Sequence, residues 1–266
     1  MFNKVSIQKT KQNLDRLETM FKGVSRLLIV LQNNPDPDAI ASAVALRRVV
    51  NKMATVKSFI AHGGVVGRAE NRALVNYLNI TMHKVREVDY SKYDLIALVD
   101  TQPYTGNNLL PGDVQADIVI DHHPIRKATR KCSFTDIRSK YGSTSTIMFE
   151  YLYLLEVKID VPLATSLLYG IRSDTQDLGR EALKADVEAM EFLYPLANKK
   201  VISEIQRGDV PAEYFRMLFE AIKHARSYDN IMVTRLGKVN NPDMIGEIAD
   251  LFLREDNTDW TMCSGV

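Results

Sequence analysis

Asp121, His122 and His123 form a tripeptide whose side chains could bind a metal ion. The tripeptide directly follows residues 116–120, an apolar run typical of a buried strand. In open α/β sheets, ligands bind beyond the carboxyl ends of the strands, and this is such an end. Neutral imidazole is the commonest metal ligand in proteins, and carboxylates hold Mg²⁺ or Mn²⁺. The pattern therefore predicts a metal-dependent site.

Further carboxylates follow other predicted elements. They belong to Asp36, Asp38, Asp100 and Asp174. In a parallel sheet the carboxyl ends of the strands meet at one edge, so these side chains can converge. Because Pro37 favours an extended path, Asp36 and Asp38 point to opposite sides and could serve two metal ions, with Asp100 between them. Two ions about 3.5–4 Å apart can share a hydroxide and promote in-line displacement at phosphorus.

Each aspartate also has a structural interpretation when it is considered alone. Asp38 would be a helix N-cap, Asp100 a turn residue and Asp174 a polar residue at a helix end. Their joint occurrence favours a metal site, and oxygen-rich ligation with one or two imidazoles favours Mn²⁺ or Mg²⁺ over zinc.

The elements that would position these residues alternate in the first half of the chain. The pattern predicts strands at residues 26–31, 55–61, 95–99 and 114–120, and helices at residues 6–22, 38–52 and 70–78. Such alternation implies an α/β fold with a mostly parallel sheet flanked by helices. We expect a catalytic domain at residues 1–198 that ends in helices, a linker at residues 199–211, and a partial second α/β domain at residues 212–266.

The composition narrows the class of protein. The 266 residues are 45% hydrophobic and 25% charged with a net charge of +1, so nothing draws the whole chain to nucleic acid or membrane. The two cysteines lie far apart, outside any C-x-x-C motif. No apolar stretch reaches the roughly 20 residues of a membrane span, which makes the cytoplasm the simplest location. No G-x-G-x-x-G follows the first strand, which argues against a dinucleotide-dependent oxidoreductase.

Together these motifs resemble the DHH phosphoesterase superfamily, which includes RecJ-type nucleases, oligoribonucleases, family II pyrophosphatases and cyclic-dinucleotide phosphodiesterases. The matching segments occur in the family's order at residues 34–42, 100, 121–124, 142–145 and 170–175. The resemblance covers about residues 25–180.

The resemblance implies a set of metal ligands. Asp36 and Asp100 would hold one Mn²⁺ ion, and Asp38, Asp100, His122 and Asp174 would hold the other. His123 would contact the scissile phosphate, and Asp121 would orient a histidine. Asp100 and His123 are thus the expected catalytic residues, with one or two ions of Mn²⁺, or of Mg²⁺, as the cofactor.

Substrate is expected to bind near the metals. The residues with this expected role are Asn34, Gly142, Ser143, Thr144 and Arg172. Residues 142–145 lie at a predicted helix N-terminus, where free N–H groups and the helix dipole attract anions; a plain serine N-cap is the alternative. Arg172 could contact a phosphate bidentately or form a structural salt bridge.

The chain departs from the family pattern in two places. Gln32 stands where family members usually carry histidine, and its neutral amide is a weaker ligand, so the first metal site is expected to be weak, completed by water or empty. The GGGH-type motif of the family's DHHA1 domain is absent from residues 212–266. Either the chain is a truncated form, or it recognises its substrate differently.

Two functions from different classes remain open. The favoured one is a metal-dependent phosphoesterase that hydrolyses phosphate esters of short oligonucleotides or nucleotides by attack of a metal-bound hydroxide. The alternative, which Gln32 favours, is a non-catalytic nucleotide- or nucleic-acid-binding module with a degenerate metal site. The expected partner is a phosphate-containing small molecule or a short oligonucleotide, and no association with a membrane is expected. A homodimer is compatible with the sequence.

Overall fold

A six-stranded parallel sheet forms the centre of the first part of the molecule. The computed structural model describes residues 4–180 and 182–266. The strands are β1 (Arg26–Val30), β2 (Lys57–His62), β3 (Met82–Lys84), β4 (Leu95–Val99), β5 (Ile118–Asp121) and β6 (Phe134–Ile137). They are arranged in the order β3-β2-β1-β4-β5-β6, and every pair is parallel.

Helices flank this sheet. They are α1 (Lys4–Met20), α2 (Pro37–Met53), α3 (Ala69–Leu78), α4 (Thr144–Leu154), α5 (Val161–Asp174), α6 (Lys184–Leu193) and α7 (Lys199–Gln206). Helix α2 packs against both α4 and α5. The central strands are almost wholly buried, which is why they are continuous apolar runs without alternation. The predicted α/β fold, a parallel sheet flanked by helices, is confirmed.

The strand order reverses between β1 and β4. From β1 the chain builds outward through β2 and β3, and from β4 it builds in the opposite direction through β5 and β6. Val30 at the end of β1 pairs with Ala61 on one side and Leu98 on the other, so the carboxyl ends of these strands lie level. The loops after β1 and β4 diverge at this point and leave a crevice, where ligands bind in open α/β sheets.

A smaller sheet lies in the last part of the chain. It comprises β7 (Arg226–Tyr228), β8 (Ile231–Arg235) and β9 (Trp260–Ser264), with β8 antiparallel to β7 and parallel to β9. Helices α8 (Ala212–His224) and α9 (Asp243–Phe252) pack on it through a separate apolar cluster. No helix within residues 4–180 and 182–266 is both long and apolar enough to cross a bilayer.

The segment expected to be a linker, residues 199–211, differs from that expectation. Its first eight residues form helix α7, whose Ile202 and Ile205 are buried and which packs against α3 and α5. Isoleucines three residues apart lie on one helix face, which explains the burial. Only residues 207–211 lack regular structure. In the first sheet, the short strands β3 and β6 are also absent from the predicted pattern.

A buried charge network ties β6 to the helices beside it. The guanidinium of Arg138 lies 2.7 Å from Asp136 and 2.7 Å from Glu150 of α4, and only 5% of its side chain is exposed. Thr10 of α1 accepts a further hydrogen bond from Arg138 and donates one to Glu150. Removing Arg138 would leave the buried Glu150 without a counter-charge, and Asp136 would keep only its ion pair with the exposed Lys9.

We therefore predict that Arg138→Met lowers the free energy of unfolding by about 3–5 kcal/mol, because Asp136 and Glu150 lose their shared counter-charge. Urea denaturation followed by circular dichroism measures the change. The matched control is Arg48→Met, which removes an exposed pair with Asp160 and should cost less than about 1 kcal/mol. Equal losses in the two variants would contradict the assignment of Arg138 as the central charge.

Candidate metal centre

Asp36 is the N-cap of α2. Its Oδ1 accepts the N–H of Ala39 at 2.9 Å, and Pro37 occupies the first helical position, where its fixed φ suits a helix start. The structural interpretation of Asp38 as the N-cap is therefore wrong by two residues. Pro37 begins the helix, which places Asp38 inside the first turn.

The carboxylate of Asp38 joins two helices. It is 1% exposed and accepts the backbone N–H groups of Thr144 and Ser145, each at 2.7 Å, at the N-terminus of α4. Burial, reinforced by the charge of Asp174, raises the pKa of Asp38 to about 7 even though His122 opposes the shift. The α4 amides therefore orient a carboxylate that lacks a full counter-charge.

Asp100 enters the site from the loop after β4. Its backbone has a φ of 57°, a left-handed conformation that aspartate tolerates better than most residues. The side chain is 2% exposed, and its Oδ1 accepts a hydrogen bond from the Thr144 hydroxyl at 2.8 Å. Burial, together with the charges of Asp38 and Asp36, raises the pKa of Asp100 well above its usual range.

His122 presents one ring nitrogen to these carboxylates. Its Nδ1 lies 3.1 Å from the carbonyl of Tyr141, which can only accept, so Nδ1 carries a proton. Nε2 is buried without a hydrogen bond, 3.0 Å from Oδ2 of Asp174 at the end of α5 and 3.7 Å from Oδ1 of Asp100. Burial alone would lower the pKa of His122, but Asp174 and Asp38 raise it to about 9.

His123 faces outward beside the same cluster. Its Nδ1 lies 2.8 Å from Oδ1 of Asp121, and 57% of the side chain is exposed. This contact raises the pKa of His123 despite partial burial. The carboxyl of Asp121 is 1% exposed, yet the hydrogen bonds from His123 and Gln102 outweigh its burial and hold its pKa below the usual value. Asp121 thus orients the ring of His123.

The structure brings together most, but not all, of the expected metal ligands. Ligand atoms of Asp38, His122 and Asp174 lie within 4.8 Å of one another, and those of Asp100, Asp121, His122 and His123 do the same. Asp36 belongs to neither group. The amide nitrogen of Gln32 donates a hydrogen bond to Oδ2 of Asp36 at 2.8 Å, and the backbone N–H of Ala39 donates one to Oδ1 of Asp36.

The chemistry of this donor set fits a divalent cation. The buried Asp38 and Asp100 and the half-buried Asp174 surround Nε2 of His122, which lies 3.0 Å from Oδ2 of Asp174. Carboxylate oxygens with one imidazole are the ligands that Mn²⁺ and Mg²⁺ accept. A cation would let Asp38 and Asp100 ionise together, which burial and mutual repulsion otherwise oppose.

The expected substrate-binding residues make other contacts. The Gly142 N–H donates to Asp186 at 3.0 Å, and the Ser143 hydroxyl accepts the Thr146 N–H. Thr144 donates its backbone N–H to Asp38 and its hydroxyl to Asp100. The first N–H groups of α4 thus serve the protein's own groups, and Ser143 is the N-cap of this helix, while the expected role of residues 142–144 in substrate binding stays a prediction. Asn34 donates to Asp243 of α9, and Arg172 pairs with Asp177. These two contacts favour structural roles.

Two residues that the sequence analysis did not name support the site. Asp186 of α6 is wholly buried and accepts hydrogen bonds from Gly142, Thr146 and Leu183. Gln102 donates to Asp121 at 2.7 Å. Neither stands in a motif. Asp186 lies 44 residues from Gly142 along the chain, so no local pattern indicates it.

Gly170 lets α5 approach α2 and α4 closely. A Cβ atom at this position would lie 2.6 Å from the Ser145 hydroxyl and 3.2 Å from the Cα of Asp38. The second contact is with backbone, which cannot move aside like the end of a side chain. The close approach of these helices fixes the spacing between Asp38 and Asp174.

Comparisons with known proteins agree with this architecture. Residues 26–171 match the model of the DHH family, N-terminal domain. The chain is 34% identical over 264 residues to an uncharacterized protein of Methanocaldococcus jannaschii, covering 98% of this chain and 54% of that protein. It is 28% identical over 175 residues to a probable manganese-dependent inorganic pyrophosphatase of Lactobacillus gasseri, covering 65% of this chain and 56% of that protein. The chain thus spans about half the length of these two relatives.

A solved structure shares the fold. The crystal structure of an exopolyphosphatase-related protein from Bacteroides fragilis superimposes with a TM-score of 0.70 at 15% identity, covering 93% of this chain and 78% of that one. At this identity, the likeness concerns the fold alone.

The converging ligands predict that His122→Ala weakens Mn²⁺ binding by more than about 100-fold, since residues that only orient ligands already contribute 10–100-fold. Calorimetric titration of chelator-treated protein measures the affinity. The control is His224→Ala, which removes an exposed histidine on α8 and should leave the affinity unchanged. Unaltered binding by the His122 variant would remove this residue from the metal centre.

Gln32→His should add a second, weaker Mn²⁺ equivalent to the same titration, because imidazole replaces an amide that now donates to Asp36. The number of ions bound per chain is the measured quantity. An unchanged stoichiometry would show that Gln32 does not limit a site at Asp36.

Proposed function

The chain belongs to the DHH family, and we propose that it is a metal-dependent phosphoesterase that hydrolyses phosphate esters of short oligonucleotides or nucleotides. One observation carries this proposal: the convergence of Asp38, Asp100, His122 and Asp174 at the strand-order reversal, with an imidazole nitrogen directed at carboxylates. A purely structural cluster would pair such carboxylates with lysine or arginine, as the chain does at Arg138.

Asp38, Asp100, His122 and Asp174 would hold the cation in this proposal. Bound Mn²⁺ or Mg²⁺ polarises a phosphoryl oxygen and lowers the pKa of an attacking water. The α4 amides keep Asp38 in place, and the Tyr141 carbonyl keeps Nε2 of His122 directed inward. Hydrogen bonds to ligands of this kind commonly set their orientation and basicity.

His123 supplies the contact with the phosphate. Asp121 holds its Nδ1, which leaves Nε2 for a substrate oxygen, and its exposure gives a substrate access. The raised pKa of His123 favours the protonated ring, so this group can stabilise negative charge or protonate the leaving oxygen. The proposal requires no covalent intermediate: the Ser143 hydroxyl caps the Thr146 N–H, and the Thr144 hydroxyl donates to Asp100.

An exposed basic loop supports a polyanionic substrate. It begins directly after His123 and carries the exposed cations Arg126, Lys127, Arg130 and Lys131. Clustered positive charge beside a cleft raises the local concentration of phosphates. This feature suits an oligonucleotide or a nucleotide with several phosphates. The pyrophosphatase relative makes inorganic pyrophosphate the comparison substrate.

A second function is favoured by Gln32. Its amide donates to Asp36, so the ligand expected for a first metal ion instead serves a hydrogen bond within the protein. A protein that retains one metal site could bind a nucleotide without hydrolysing it. This alternative, a non-catalytic binding module, predicts metal-dependent binding without turnover.

Asp100→Asn separates these possibilities. If the protein is a phosphoesterase, release of mononucleotide from a short oligoribonucleotide, or of phosphate from a nucleotide or pyrophosphate, should depend on Mn²⁺ and fall at least about 100-fold in the variant. Chromatography of the products measures the rate. Asp113→Asn, which alters an exposed aspartate in the following loop, is the control and should retain activity. Metal-dependent oligonucleotide binding by the wild-type chain without turnover would support the binding module instead.

A further inference from the structure

Gln102 occupies a buried position between the loops that follow β4 and β5. It is 1% exposed, although it has a polar side chain and stands only two residues after Asp100. Its carboxamide makes hydrogen bonds at both ends to the segment that carries His123. Buried polar groups with full sets of partners fix local geometry strongly.

The orientation of this carboxamide is determined by its partners. One end faces the backbone N–H of Arg126 at 2.8 Å and the hydroxyl of Thr129 at 2.7 Å. A backbone N–H can only donate, so this end must be Oε1. Nε2 therefore faces Oδ2 of Asp121 at 2.7 Å, with the carbonyl of Pro124 at 3.2 Å.

This donor determines what Asp121 can offer to His123. With Oδ2 engaged by Gln102, Oδ1 receives the backbone N–H of His123 at 3.1 Å and its Nδ1 at 2.8 Å. The carboxylate is thereby held in a single rotation, because each oxygen has its own donor. A fixed carboxylate facing Nδ1 keeps a proton on that nitrogen and leaves Nε2 as the atom directed outward.

We propose that Gln102 is a positioning residue for His123, acting through Asp121. Its Nε2–H fixes the Asp121 carboxylate, and this carboxylate sets the tautomer and orientation of the His123 ring. The inference deepens the proposed function and rests on it for the contact between His123 and phosphate. The series of hydrogen bonds from Gln102 through Asp121 to the His123 ring is present in the structure whether or not the protein hydrolyses a substrate.

If Gln102 had only a structural role, that role would depend on Oε1, the other end of its carboxamide. Oε1 holds the loop after β5 by accepting hydrogen bonds from Arg126 and Thr129, whereas Nε2 donates to Asp121. Gln102→Glu keeps an oxygen for Arg126 and Thr129 but replaces the donor that faces Asp121. Gln102→Met removes both ends with little change of volume. Thr129→Val is the matched control, because it removes one hydrogen bond at Oε1 and leaves the donor to Asp121.

The test reads the His123 tautomer directly. Protein labelled with ¹⁵N-histidine is studied by long-range ¹H–¹⁵N NMR at a pH where the ring is neutral, and the His123 signals are assigned with His123→Asn. The wild-type protein and Thr129→Val should show the Nδ1–H form. Both Gln102 variants should show a mixture with the Nε2–H form. In the hydrolysis assay, kcat should fall about 10–100-fold in the Gln102 variants with little change in KM.

The outcomes are separable. Circular dichroism confirms folding, and Gln102→Glu carries the test if Gln102→Met does not fold. Folded Gln102 variants that keep the wild-type His123 tautomer would overturn the inference. A loss of the Nδ1–H form in Thr129→Val as well would also overturn it, since the effect would then come from the loop and not from the donor. Absence of hydrolysis by the wild-type protein would refute the proposed function, while the NMR comparison would still decide the role of Gln102.

Discussion

A carboxylate buried beneath a sheet edge needs donors to replace the water it has lost, and Asp38 finds them in the backbone of α4. Two short hydrogen bonds from Thr144 and Ser145 hold it, and the positive end of the helix dipole favours its charge. The same contact fastens α2 to α4 across 106 residues of sequence. Thr144 then reaches Asp100, so one helix terminus holds a carboxylate of α2 and another from the loop after β4.

This arrangement has a consequence for the electrostatics of the whole edge. The dipole of α4, which many α/β proteins direct at a bound phosphate, is directed here at the protein's own carboxylates. Under the proposed function, a phosphate in the crevice would be met by other groups: the cation that the carboxylates would hold, His123, and the exposed basic loop. The buried negative carboxylates and the exposed positive loop would then be complementary parts of one site.

The sequence predicted those parts that depend on local pattern. Apolar runs followed by aspartates located the strands and the edge, and Asp121-His122-His123 stood out because such residues rarely follow a buried strand without a role. Partners distant in sequence escaped prediction. Asp186 accepts hydrogen bonds from Gly142 and Thr146 at the start of α4, from 40 or more residues away, and β6 contains a buried Asp136 that only the folded charge network makes tolerable. Helix α7 was mistaken for linker because its charged ends obscure the two isoleucines that bury it.

The missing side chain at Gly170 bears on how such a scaffold can change over evolutionary time. Any larger residue would press on the backbone of α2 at Asp38, so a lineage that accepted one would first have to move the helices that carry the acidic ligands. Specificity can change more easily at exposed loop positions that hold no group of the candidate site, because such positions can vary in charge while the helices beneath them stay in place. The positions of the carboxylates of α2 and α5 are thereby coupled to the packing of their helices, whereas the exposed loop positions are not.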